Sequence, residues 1–291
     1  MGDPVRPAGN IRSVWGVVTG AGAVVIAVFA TPCNAANPWA LEVGTVSTND
    51  TFSLATFTSV TFDTPFASTP VVVSLATNQG GDSSDIRIRN ITATGFEIAA
   101  VEPPGNDGPH VSMAVHYIAM TPGAHILPSG QTVVAGLHTT STVQRSGVVG
   151  GPAGFDMVPF PASLGTTSSV IAAIQTENSE ENATPGAPSQ PWLTVVMENP
   201  TAVSVGLALE RSEVAAGTVM AETIGYIAFP DGDNGAFIDD IGTRIDWSTD
   251  TTPETIVGFS NGCTNYTYSG TSFTAPRIFA GKITRNGGDG G

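Results

Sequence analysis

Charged side chains are scarce in this chain, and basic ones are the scarcest. Only 12% of its 291 residues are charged, and 10 Lys and Arg face 25 Asp and Glu, which gives a formal net charge of −15. A nucleic-acid interface needs a basic face to neutralise phosphates, and docking on an anionic membrane surface needs one too. Sparse charge also argues against a coiled coil or a long solvated helix. The composition therefore excludes these classes.

Cysteine is nearly absent, with two in the whole chain, and the first belongs to an N-terminal segment with an export pattern. Residues 14–30 form an uncharged run of 17 residues that ends shortly before Cys33 and Ala35, two small residues suited to a cleavage site. We predict that residues 1–35 are a signal peptide, and that the mature protein is secreted or held at the cell surface without membrane insertion. A retained membrane anchor is the alternative, although such a run is at the lower limit for a span.

Long amphipathic helical patterns are missing after residue 36. Short runs of β-branched and aromatic residues alternate instead with clusters of Gly, Pro, Asn and Asp, which is the pattern of strands and turns. A hydrophobic content of 41% is too high for a disordered chain. The predicted fold class is all-β, as tandem antiparallel β-sandwiches. Strands are predicted in the first part of the chain at residues 56–62, 70–77, 85–91, 96–101 and 111–120.

One strand–turn pattern recurs three times along the chain. Pro70, Ser169 and Pro276 each begin an apolar run that continues into Thr and then into a turn rich in Asn, Gly and acidic residues. The first two copies close with similar strands, VHYIAM and IGYIAF. Self-similarity at this scale indicates tandem structural units. The predicted units are a β-sandwich at residues 37–128, a second at 134–230 and a partial third at 235–291.

The third copy contains only the first half of the pattern. A sandwich without half of its strands would expose strand edges and an open core, so we expect the chain to be a fragment of a longer protein. The second cysteine, Cys263, is then expected to pair with a cysteine beyond the C-terminus. The alternative is that residues 276–284 add an edge strand to the second unit.

The first unit carries a series of short motifs in a fixed order, all within residues 52–120. They comprise an aromatic V-x-F strand, an F-x-x-x-P-x-V step, the strand IRIRN, an N-x-T-x-x-G-F turn and the closing strand VHYIAM. Their residues are Val60, Phe62, Phe66, Pro70, Val72, Asn90, Thr92, Gly95 and Phe96. In this order the unit resembles the H-type lectin domain, whereas the second unit has NPTAVSVGLAL in place of the G-F step. The resemblance implies a six-stranded antiparallel sandwich, often trimeric, that binds galactose-type sugars through loops near subunit interfaces.

The predicted strand at residues 85–91 carries a candidate binding face. Period-2 alternation places Asp85, Arg87 and Arg89 on one face of this strand. Ile86 and Ile88 fall on the other face. Arg beside Asp can donate to and accept from vicinal hydroxyls, which is what sugar recognition requires. A cross-strand ion ladder, or a contact between units, is the alternative role for these residues.

The loop EPPGNDGPH contains two more candidates, Asp107 and His110. Its prolines stiffen the loop, which lowers the entropic cost of ordering it on binding, although a rigid turn explains them equally well. The resemblance adds Tyr117, the aromatic residue of the closing strand. It also implies glycans as partners and a homotrimer as the oligomeric state.

Motifs for catalysis and for metal binding are missing. The chain has no G-x-S-x-G, H-E-x-x-H, P-loop or G-x-G-x-x-G, so we predict no enzymatic activity, no catalytic residues and no cofactor. The four histidines lack the close spacing of metal ligands, so no metal site is predicted there. Asp231 and Asp233 match the start of a calcium loop, but Gly235 and Ala236 break the pattern, which favours a linker turn.

These observations predict an exported, non-catalytic, carbohydrate-binding protein of the cell surface. Two alternatives stay open. One is a structural or adhesive surface repeat protein without a sugar ligand. The other is the non-catalytic part of a larger exported enzyme.

Overall fold

A computed structural model describes the chain over eleven stretches, which contain β-strands, turns and irregular segments but no helix. The described residues are 41–48, 57–76, 84–101, 112–127, 129–144, 154–179, 191–211, 217–238, 244–252, 273 and 276–281. The predicted all-β class is confirmed. Within this part of the chain, no helix has the length and apolarity to cross a membrane. The predicted signal peptide and Cys263 lie outside the described residues.

Fifteen strands follow one another in the described residues. The first six are β1 (Leu41–Thr48), β2 (Thr58–Thr61), β3 (Val71–Ala76), β4 (Asp85–Thr92), β5 (Gly95–Val101) and β6 (Met113–Met120). The next seven are β7 (Gly123–Ile126), β8 (Thr132–Thr140), β9 (Asp156–Pro159), β10 (Ser168–Ile174), β11 (Leu193–Glu198), β12 (Ser204–Arg211) and β13 (Glu222–Pro230). The last two are β14 (Asn234–Ile238) and β15 (Arg244–Ser248). All five strands predicted in the first part of the chain are confirmed as β2 to β6.

The first six strands form two antiparallel sheets that pack face to face. Sheet I has the order β1-β6-β3, and sheet II has the order β2-β5-β4. Their facing side chains form one apolar core, because alternate residues of each strand point inward. Ile88 and Ile98 of sheet II and Val115 of sheet I are each 0% exposed in this core. We call this pair of sheets the first sandwich.

The second sandwich repeats the same strand order. Sheet III has the order β10-β13-β8-β7, and sheet IV has the order β11-β12-β9. Strands β8 to β13 therefore occupy the places of β1 to β6, with β7 added at an edge. The same inward alternation builds the core of the second sandwich, in which Leu207 and Ile224 are fully buried. Val196 is also buried but does not belong to this core cluster. Tyr226 of β13 lies over Gly136 just as Tyr117 of β6 lies over Gly44.

A turn built in the same way occurs in both sandwiches. Asn90 and Asn199 both adopt a left-handed backbone, with φ of 51° and 44°, which Asn tolerates better than most residues. Two residues further on in each case, a threonine hydroxyl closes the turn by bonding to nearby backbone groups. The N-x-T motif of the first sandwich is thus a folding signal, and it persists in the second sandwich where the G-F step is missing.

A central apolar cluster joins the two sandwiches. It lies between the outer face of sheet I and the outer face of sheet III, and Met120 and Ile227 are 0% exposed within it. The hairpin β14-β15 adds Ile245 and Trp247 to this cluster, and Phe279 joins it from the segment 276–281. The residues from Ala36 to Gly291 accordingly belong to one compact unit.

Replacing Ile227 with Ala is expected to lower the free energy of unfolding by about 2–5 kcal/mol, because the change leaves a cavity in the central cluster. Chemical denaturation followed by tryptophan fluorescence measures this loss. Leu137→Ala is the matched control, since Leu137 is 49% exposed on the same sheet, and its cost is expected to be about 0.5 kcal/mol. Equal costs for the two variants would contradict a buried cluster between the sandwiches.

Candidate functional site

The candidate face of β4 lies where the two sandwiches meet. As predicted, Ile86 and Ile88 point into the core of the first sandwich, so Asp85, Arg87 and Arg89 lie on the opposite face of the strand. That face is directed towards the second sandwich, because Arg87 and Arg89 both bond to residues of it.

Arg87 is a buried contact between the sandwiches. Its side chain is 1% exposed; Nη1 donates to Asp85 Oδ2 at 2.8 Å, and Nη2 donates to the backbone carbonyl of Leu193 at 2.6 Å. Leu193 begins β11, so this bond ties sheet II to sheet IV. The prediction that Arg87 faces a sugar is therefore corrected. The geometry supports the alternative, a contact between units.

Arg89 occupies a different environment, at the edge of the same interface. Its Nε donates to Glu97 Oε2 at 2.8 Å, and its Nη1 donates to Glu177 Oε2 at 3.0 Å. Glu97 lies opposite Arg89 on β5, whereas Glu177 follows β10 in the second sandwich. The guanidinium carbon also lies 3.6 Å from the ring centroid of Phe57, in a cation–π contact. We call Arg89, Glu97, Glu177 and Phe57 the junction site.

The junction site is open to solvent on one side. The side chains of Arg89 and Glu97 are each 31% exposed, whereas Glu177 is 7% exposed. The hydrogen bond from Arg89, joined by one from Asn90, lowers the pKa of Glu97. The pair is therefore ionised well into the acid range, and it presents charged donors and acceptors whose positions are fixed by their mutual bonds.

Tyr117 lies in the core of the first sandwich. It is 6% exposed, its ring packs edge-on against Phe96, and its hydroxyl donates to Glu42 Oε1 at 2.7 Å. Burial, together with the bond to Glu42, raises the pKa of Tyr117. Its predicted role as a ligand contact is corrected, because the ring is buried in the core and bonded to Glu42, where a sugar in solvent does not reach it.

The loop that carries Asp107 and His110 lies outside the described residues, but one of its attachment points is described. It follows Val101, the last residue of β5, and the carbonyl of Val101 accepts a 3.3 Å hydrogen bond from the indole nitrogen of Trp192. Trp192 belongs to the second sandwich and immediately precedes Leu193. Val101, the last described residue before this loop, therefore lies at the interface between the sandwiches.

The described histidines have separate local partners. His138 Nε2 lies 2.8 Å from Asp156 Oδ2, a pair that links β8 to β9, and His125 Nε2 lies 2.7 Å from the carbonyl of Thr121. His116 Nδ1 lies 3.0 Å from Thr45 Oγ1. Within the described stretches, no group of three or more His, Cys, Asp or Glu side chains could hold a metal ion.

The turn that resembled a calcium loop has another function in the fold. The Oδ1 atom of Asp231 accepts hydrogen bonds from Ser169 and Thr251, and Asp231 lies directly after β13. It thus ties β10 and the segment after β15 to the start of the hairpin. The interpretation of this turn as a linker between units stays a prediction.

Arg87→Ala is expected to destabilise the protein by about 2 kcal/mol, because it leaves the Leu193 carbonyl and the Asp85 carboxylate without this donor. Arg244→Ala is the control. Arg244 also pairs with an aspartate, Asp246, but its side chain is 66% exposed, so its loss is expected to cost less than about 1 kcal/mol. Thermal or chemical unfolding measures both. An Arg87 variant as stable as the Arg244 variant would contradict the buried contact.

Glu97→Gln is expected to destabilise the protein at neutral pH and progressively less as the pH falls below 4.5. The folded pKa of Glu97 is lowered from 4.5, so its carboxylate contributes stability above that pH, and this contribution is lost as the pH falls through the folded value. Unfolding free energies of the parent and the variant between pH 7 and pH 3 test this. In an Arg89→Gln background the pH-dependent difference should shrink. A difference that does not vary with pH would argue against the Arg89–Glu97 pair.

No family model matches this chain, and no curated protein and no solved structure shows significant similarity to it.

Proposed function

We propose that the protein is an exported, non-catalytic carbohydrate-binding protein of the cell surface, and that the sugar binds at the junction site. The observation that supports this is the environment of Arg89, whose partly exposed side chain bonds to a carboxylate of each sandwich. The resemblance of the first unit to H-type lectin domains points the same way, since those domains bind sugars near subunit interfaces.

The chemistry of the junction site suits sugar hydroxyls. Carboxylate oxygens accept hydrogen bonds from hydroxyls, and a guanidinium donates to them, so one vicinal diol can engage both groups. Arg89 and Glu97 are partly exposed and offer one group of each kind, with their side chains held by a short ion pair. Because these side chains are already ordered, binding costs little rotamer entropy.

The ring of Phe57 adds an apolar surface to the proposed sugar site. Phe57 lies beneath the guanidinium of Arg89 and is partly exposed, so it supplies an apolar surface beside the polar groups. Asp107 and His110 lie outside the described residues and stay predicted sugar contacts from the sequence alone. The homotrimer implied by the resemblance stays a prediction.

The burial of Arg87 favours a second candidate function, that of a structural or adhesive protein. Arg87 is 1% exposed and bonds across to Leu193, so most of the predicted binding face serves to hold the sandwiches together. A structural or adhesive repeat protein without a sugar ligand would use β4 in this way. The following experiment separates the two functions.

Arg89→Gln is expected to weaken binding of the full chain to its glycan by about tenfold or more, because the variant loses charge-assisted hydrogen bonds at the site. A glycan array followed by calorimetry on the hits measures this. Arg244→Gln is the control, since it removes another exposed, carboxylate-paired arginine on the hairpin. Circular dichroism verifies that each variant is folded. If the folded parent chain binds no glycan on the array, the result would favour a structural or adhesive repeat protein without a sugar ligand.

A further inference from the structure

A second group of polar side chains lies where the segment 276–281 contacts the first sandwich. Arg277 Nε donates to the hydroxyl of Thr45 at 3.1 Å, although the two residues are 232 positions apart. Thr45 lies on β1, and its hydroxyl is also 3.0 Å from Nδ1 of His116 on β6. Three polar side chains from three separate parts of the chain therefore form one connected group on the surface of sheet I.

The hydrogen bonds of this group decide which nitrogen of His116 carries the proton. The Thr45 oxygen accepts from the charged Arg277, which polarises its own O–H bond, so we assign the hydroxyl proton to the bond with Nδ1. A neutral imidazole that accepts at Nδ1 carries its hydrogen on Nε2. The group thus retains the Nε2–H of His116 and the terminal N–H groups of Arg277 as donors.

The charge of this group is unbalanced. Among the described residues, Arg89 and Arg244 each lie within salt-bridge distance of a carboxylate, whereas Arg277 has no such partner. The strands on either side of β6 place Thr45 and Leu75 opposite His116, and neither carries a charge. Burial lowers the pKa of His116, and the positive charge of Arg277 lowers it further. An anion beside both groups would balance the charge of Arg277 and stabilise the protonated form of His116.

We propose that Arg277 and His116 together bind an oxyanion, supplied by the carboxylate or sulfate group of an acidic saccharide. Arg277 is exposed and Thr45 is exposed, so the site is open to a ligand of this size. A guanidinium held at Nε presents its remaining donors as a planar fork that matches a carboxylate or sulfate. The inference that a saccharide carries the oxyanion rests on the proposed function. The inference that an oxyanion binds here rests only on the geometry of Arg277, Thr45 and His116.

The test follows the ring signals of His116 by NMR while the full chain is titrated with sodium glucuronate, sodium sulfate or neutral methyl galactoside. His116→Gln identifies the signals. Glucuronate and sulfate should shift them saturably and raise the pKa of His116, since a bound anion stabilises the charged imidazole. Arg277→Gln should weaken this binding about tenfold or more. The matched control, Arg244→Gln, should leave it unchanged.

Each result decides the proposal. Binding of both anions, or of one alone, supports the site if it depends on Arg277, and a single binder identifies the oxyanion. No saturable shift with either anion, or equal affinity in the Arg277 variant, overturns the site. Loss of galactoside binding in Arg89→Gln tests the junction site separately. A chain that binds glucuronate but no neutral sugar would therefore refute the junction site and leave this site intact.

Discussion

The central apolar cluster is the constraint on which the rest of the structure depends. The second half of β6 and most of β13 are buried on both faces, one against the core of their own sandwich and one against the cluster, so these stretches are almost entirely apolar. Packing these faces together fixes how sheets I and III lie on one another. That arrangement brings β4 to the start of β11, and only then can Arg87 reach Leu193 and Arg89 reach Glu177.

Sequence patterns predicted what depends on neighbours along the chain. Alternation located β4 and separated Ile88 from Arg87, and the turn motif located Asn90 and, through the hairpin, placed Glu97 opposite Arg89. The burial of Arg87 could not be predicted from the sequence, because its partner Leu193 lies 106 positions further along the chain. Tyr117 was misassigned for the same reason. Strand β1 was not predicted, because Gly44 interrupts its apolar alternation. Gly44 leaves the space that the ring of Tyr117 occupies.

The two sandwiches share a framework but differ in the side chains that could bind a ligand. Aligned on their common turn, Arg87 of the first sandwich corresponds to Val196 of the second, and Arg89 corresponds to Glu198. Both sandwiches have the threonine hydrogen bonds that close the turn, but the second has no arginine at the two positions that match Arg87 and Arg89. The second sandwich therefore contributes Glu177 to the junction site from a loop, and its own equivalent of β4 serves chiefly to build a core.

The bond between Arg277 and Thr45 has a consequence for biosynthesis. At roughly 5–20 residues per second, a ribosome needs about 12–46 s to make the 232 residues between the two partners. Throughout that interval the growing chain cannot complete the contacts on the outer face of sheet I. Such long-range contacts make folding slow. The outer face of sheet I therefore stays incompletely covered for tens of seconds after β1 has been made.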